Sequence, residues 1–235
     1  ESGSDTVTDF SVTDDNLMFF DSGGVEINSS SLIESNNDAG DVVLTASNGS
    51  NVTLQGISTY SLVVPSLNGT VKSNSGTVLE NVVVKGFDLN GNEVASTVSD
   101  VSGQFSFNTT EDITLTIEKD FANNNIVTVR DALDALKLSI GMTKSDGTIN
   151  PLDFIAADMN QDGKVSVRDA LDILKYSLNM ESSTAHWKFV PENLDTSNLS
   201  RSAVTYDNSL SVDFSEIQSE HSFLGILVGD VNGTV

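Results

Sequence analysis

The sequence predicts a mostly β chain interrupted once by a small α-helical unit, and three observations lead there. Short runs alternating apolar and polar residues with period two, punctuated by Gly, Asn and Asp, occupy both ends of the chain. Between residues 119 and 182 the apolar spacing changes to the helical period. Inside that stretch one unit is written twice. "DFANNNIVTVRDALDALKLSI" (Asp120 to Ile140) returns as "DMNQDGKVSVRDALDILKYSL" (Asp158 to Leu178), offset by 38 residues.

Residues 1–64 are rich in Ser, Thr, Asn, Asp and Gly, and "DTVTDFSV", "NLMFF", "DVVLTA" and "NVTLQGI" read as strands between turn signals. Gly3, Asp5 and Val7 form a G-x-D-x-U pattern. It resembles the last turn of the calcium β-roll of repeats-in-toxin (RTX) proteins, and the strands after it resemble the roll's cap. In residues 65–118, "NVVVKGFDLNGNEVASTV" reads as a hairpin about Asn90-Gly91. "GQFSF" and "ITLTIE" alternate strictly, placing Phe105, Phe107, Ile113, Leu115 and Ile117 toward one side. This segment resembles the small prealbumin-like or Ig-like β-sandwiches that space out bacterial surface proteins.

In residues 119–182 the periodicity puts Ala132, Leu133, Leu136 and Ile140 on one helical face, and Ala170, Leu171, Leu174 and Leu178 on its counterpart. The link between the copies allows one helical turn at Leu152 to Ala156. From residue 183 to 235 short strands return, in "HWKFV", "AVTY", "LSVDF" and "FLGILVGDV". They are expected to pack on the 65–118 segment or to form an appendage of the helical unit.

The twelve residues from Asp158 to Asp169 carry the chemistry. Calcium is a hard ion that takes six to eight oxygens. Asp158, Asn160 and Asp162 supply side-chain oxygens at loop positions 1, 3 and 5, and Gly163 permits the sharp turn at position 6. Lys164 offers its carbonyl at position 7 and Ser166 a hydroxyl at position 9. Asp169 at position 12 closes the sphere from the first helical turn, and Val165 points inward. The earlier copy keeps Asp120, Asn124, the Ile126 carbonyl, Thr128 and Asp131. Ala122 and Asn125 stand where its twin has Asn160 and Gly163, so weaker calcium binding, or none, is expected there.

A calcium loop followed by one exit helix, duplicated without a full incoming helix, resembles the dockerin type I domain. The resemblance implies a pseudo-twofold helical pair stabilised by Ca2+ and used to grip a protein partner, cohesin in the best-known cases. It also implies that Val129, Arg130, Val167 and Arg168, at positions 10 and 11 of the two loops, contact that partner. The competing reading buries the valines and pairs the arginines with nearby aspartates. The fold class expected is therefore mostly β with a small α-helical dockerin-like unit, flanked by β-sandwich and β-roll-cap segments.

The tail repeats the opening of a calcium loop with Asp230, Asn232 and Gly233, and is expected to be a plain turn. The order of these motifs resembles the C-terminal region of RTX-type adhesins exported by type I secretion, and the chain reads as a piece of something longer.

Composition narrows the function. With 34 acidic residues against 11 basic ones the net charge is −23, which repels nucleic-acid phosphates and argues against nucleic-acid partners. Apolar runs are too short for membrane insertion. There is no cysteine, so no disulfide or thiolate chemistry. The two histidines, His186 and His221, sit in no acid–base or metal spacing, and no phosphate loop or nucleophile elbow occurs, so neither catalysis nor a small-molecule substrate is expected. The expectation is a non-catalytic, calcium-binding module, extracellular or at the cell surface, with a cohesin-like partner or a second copy as its ligand. A subunit of an extracellular filament or surface layer is the alternative. The targeting appendage of a secreted polysaccharide hydrolase is a weaker one.

Overall fold

The computed structural model describes residues 4–8, 19–20, 26–27, 32–46, 49–57, 66–109, 112–121, 125–180, 183–206, 210–213 and 220–235. These residues are mostly β, with fourteen strands and three helices, and fall into two compact units, Glu1–Pro65 and Ser66–Val235.

In the first unit, β1 (Ser4–Val7), β4 (Ile33–Asn36), β5 (Val42–Thr45) and β6 (Asn51–Leu54) form a sheet in the order β1-β6-β5-β4. β2 (Phe19–Phe20) and β3 (Glu26–Ile27) pair separately. The period-two pattern of "VVLT" buries Val42 and Leu44, which with Leu54 make a small core. β1 runs parallel to β6 while β5 and β6 form a hairpin. Gly3 of the RTX-like pattern lies outside the described residues.

The second unit holds β7 (Ser66–Ser73), β8 (Val83–Phe87), β9 (Glu93–Val98), β10 (Gln104–Asn108) and β11 (Ile113–Glu118). After them come α1 (Val129–Ser139), α2 (Leu152–Ala157), α3 (Val167–Ser177), β12 (His186–Pro191), β13 (Ser211–Val212) and β14 (Glu220–Val228). Two four-stranded sheets run β10-β7-β14-β12 and β13-β11-β8-β9. The hairpin about Asn90-Gly91 is β8–β9. Its turn is fixed by Asp88 Oδ1, which accepts from Asn90 N and Asn92 N at 2.8 Å each.

One apolar cluster is shared by both sheets: Leu67, Val71, Phe105, Phe189 and Phe223 from the first, Val84, Ile113, Leu115 and Val212 from the second. Phe105 and Phe223 stack with ring centroids 6.1 Å apart. Burying each such side chain stabilises the fold by roughly 1.5–3 kcal/mol. Gly69 has no side chain because β7, β14 and the Phe105 ring meet there; an added Cβ would lie 2.2 Å from the His221 carbonyl oxygen.

The strands after residue 183 do both things the sequence left open. β14 inserts parallel to β7 and antiparallel to β12, and β13 pairs with β11. On the other face of β14, Leu224 and Ile226 meet α2 through Leu152, Ile155 and Ala156. Beyond them Leu227, Val228 and Val231 enter the cluster under α1 and α3. The stretches that the sequence separates at 118/119 and 182/183 thus share one compact unit.

Candidate functional site

Each duplicated helix begins where an aspartate at N3 turns back on the residue that caps it. Asp169 Oδ2 accepts from Ser166 N (2.9 Å) and Ser166 Oγ (2.8 Å), and Asp131 Oδ2 accepts from Thr128 N and Thr128 Oγ1 at 2.8 Å each. Both helices also end alike. Gly141 and Asn179 take positive φ (79° and 55°), and the N–H groups of Met142 and Met180 return to the carbonyls of Lys137 and Lys175.

In the second loop Asp158 accepts from Asp162 N (3.1 Å, Oδ1) and Gly163 N (3.0 Å, Oδ2), while Asn160 N donates to Asp169 Oδ1 at 3.1 Å. Asn160 Oδ1 accepts from Asp162 N at 2.9 Å. Gly163 holds φ +81°, and Val165 is buried. Burial pushes the Asp158 carboxyl above the usual carboxylate range. The Gly163 N–H opposes that rise, and the charges of Asp169 and Asp162 add to it. Asp162, Lys164 and half-buried Ser166 line the open side of the loop.

Among the described residues no three acidic or imidazole side chains are already gathered into a metal cluster. The loop's donors are mixed: three carboxylates, an amide, a hydroxyl and a carbonyl. That all-oxygen set matches calcium in kind and number. The buried Nδ2 of Asn160 has no partner among the described residues.

The first loop differs from the second. Asn124 and Ala122 lie outside the described residues. Asp120 is exposed and lines a cleft with Asn81, Lys85 and Glu118, whereas its counterpart Asp158 is buried. Asn125 does keep the left-handed turn, at φ +62°. Asp131 is fully buried and is met by the tail: Asn232 N donates to its Oδ1 at 3.0 Å. Burial raises the Asp131 carboxyl, the Asn232 and Thr128 N–H groups oppose the rise, and the charge of Asp230 adds to it. The turn expected at the tail forms, with Gly233 N donating to the Asp230 carbonyl at 3.4 Å, and it is docked on Asp131. Its D-x-N-G spelling was the available signal, but nothing in the sequence says which helix it meets.

The two helices divide their apolar residues between a buried seam and an open face. Ala135, Leu138 and Ile173 form the buried seam, with Ala132 and Ala170. Part of the shared apolar face points outward: Leu133 is 48% exposed and Leu171 47%. Val129 and Val167 are exposed too, so these valines do not pack in the core, and Arg130 and Arg168 are exposed beside them. Among the described residues neither arginine forms an ion pair. Between α1 and α3 runs a groove of about 310 Å³, walled by Val129, Leu133, Leu136 and their counterparts Val167, Leu171, Leu174, with Ala132 and Ala170 as its floor.

No family model matches the chain, and no curated protein matches it.

Proposed function

We propose that residues 66–235 form a non-catalytic, dockerin-like docking module, stabilised by Ca2+ and carried by an extracellular or cell-surface protein. One observation carries this reading. The exposed face of α1 and α3 presents the same apolar residues twice at an offset of 38, Val129/Val167, Leu133/Leu171 and Leu136/Leu174, around an open groove. Folding does not require such residues to face water, and a partner gains from covering them. Arg130 and Arg168 flank the groove at matching positions and suit an acidic rim on the partner. Because the face is duplicated, a partner fits it in either of two orientations.

Calcium acts through folding linkage. Binding to the folded loop alone, at millimolar calcium with a Kd of 10⁻⁴–10⁻³ M, adds roughly 0.4–1.4 kcal/mol per site. The Lys164 carbonyl, Ser166, Asp158, Asn160, Asp162 and Asp169 are the groups that hold the ion.

The test is calorimetric titration of the full chain, in calcium, with cohesin-fold proteins, alongside sedimentation velocity for self-association. Leu133→Glu and Leu171→Glu singly are expected to leave one binding orientation, and the double variant none. Self-association lost in the double variant favours the filament or surface-layer reading over a cohesin-like partner. Binding that survives the double variant, or no binding of either kind, sinks the docking role.

A further inference from the structure

We propose that the chain builds a second calcium site from two separated segments: Asp230, Asn232 and Thr234 of the tail supply the first half of the loop, and the Ile126 carbonyl, Thr128 and Asp131 supply the second. The intact loop at Asp158–Asp169 serves as an internal template, and three of its backbone N–H bonds recur at the tail, while the bond from Asp162 N to Asn160 Oδ1 has no counterpart at Asn232.

Asn160 N donates to Asp169 Oδ1 at 3.1 Å, and Asn232 N donates to Asp131 Oδ1 at 3.0 Å across 101 residues of chain. Asp162 N and Gly163 N donate to the two oxygens of Asp158 at 3.1 and 3.0 Å. Thr234 N and Val235 N do the same to Asp230, at 3.1 Å each. Gln161 and Gly233 occupy the same left-handed conformation, at φ +58° and +67°. Met159 and Val231, each next to the leading aspartate, are both 1% exposed. On the other half, Asn125 and Gly163 share positive φ, and Val127 and Val165 are equally buried at 4%. The tail thus stands where Asp120, Ala122 and Asn124 stand in the sequence alignment. The ligand that Ala122 lacks is supplied by Asn232.

Two further observations point to a cation. Asp131 and Asp230 are 0% and 3% exposed and near enough for the charge of Asp230 to act on Asp131, and among the described residues no lysine or arginine pairs with either. Lys144, close by, gives its ammonium to Asp153 at 3.0 Å and to the Val231 carbonyl at 3.3 Å. Secondly, Asn232 Oδ1 is buried with no donor among the described residues. Two buried carboxylates beside an unanswered amide oxygen need positive charge. The remaining donors are hydroxyls and a carbonyl, so the set is all oxygen and suits calcium rather than zinc or copper. With two carboxylates against three, this site is the weaker of the pair. An ion there ties the end of β14 to the start of α1.

The second loop supplies the comparison, so the inference leans on its reading as a calcium site; calorimetry of the full chain with CaCl2 separates the two. Wild type is expected to take up two equivalents. Asp158→Ala should lose one, Asn232→Ala the other, and the double variant both. Asn232→Ala keeps the backbone N–H that reaches Asp131, so its calcium-free melting curve should overlay that of wild type. Asn232→Asp adds a third carboxylate and should tighten the weaker site severalfold. One equivalent, abolished by Asp158→Ala and untouched by both Asn232 variants, overturns the composite site and leaves the second loop standing. No uptake at all overturns both.

Discussion

Asp169 and Asp162 belong to one loop yet do different work. Asp169 is fully buried and accepts three hydrogen bonds, from Asn160 N, Ser166 N and Ser166 Oγ. Asp162 is exposed, and its charge adds to the burial that holds the Asp158 carboxyl above its usual range. Asp169→Ala removes a helix cap and strands buried donors, costing about 1–3 kcal/mol even in EDTA. Asp162→Ala should stay within about 0.5 kcal/mol of wild type in EDTA, because it breaks no side-chain bond and relieves repulsion. Both variants should bind calcium more weakly. Urea denaturation with and without calcium checks the contrast, and equal losses in EDTA would contradict it. Loop spacing made both aspartates legible as ligands in the sequence. It could not show which one also holds the helix, because that depends on burial.

At the level of elements, the two duplicated helices were legible, but not which edge of each apolar stripe is buried. A 3.6-residue period marks an apolar stripe about as wide as the helix face that carries it. In α3 that stripe includes Leu171 and Leu174 beside Ala170 and Ile173, and the pattern does not say which edge is buried. Contact with β14 decides it, since Leu227 and Val228 take the side of Ile173. Ile173 is 0% exposed and Leu171 47%. Ile173→Ala is therefore expected to cost about 2–4 kcal/mol and Leu171→Ala less than about 1 kcal/mol. Urea midpoints of the two variants rank them, and the reverse order would place the seam on the wrong edge. The β8–β9 hairpin was easier to read, because Asn90-Gly91 and its strands lie within a few residues of each other. A local turn signal is complete in itself.

For the whole molecule, what the sequence hides is long-range. β14 pairs with β7 across 152 residues, as Thr70 and Ser222 show by sharing a 3.0 Å hydrogen bond. The tail meets Asp131 across 101. Period-two alternation identifies a strand but not its neighbour, so the sequence left two addresses open for the last fifty residues. Their placement changes which pieces of the chain can stand alone. A helical pair cut at 119–182 keeps both exit helices and the intact loop. It loses Leu227, Val228 and Val231, which fill the cluster beneath them, and Asp230 with Asn232. Residues 66–235 keep every one of those contacts within a single compact unit. The 66–235 fragment is expected to unfold cooperatively and to bind calcium as the full chain does. The 119–182 fragment should show helical circular dichroism only at high calcium, with no sharp thermal transition in EDTA, because the apolar undersides of α1 and α3 are then open to water. Thermal melts of the two fragments, each with calcium and with EDTA, decide the matter. A 119–182 fragment that melts as sharply in EDTA as residues 66–235 would show that the strands merely lean on the helices rather than complete them.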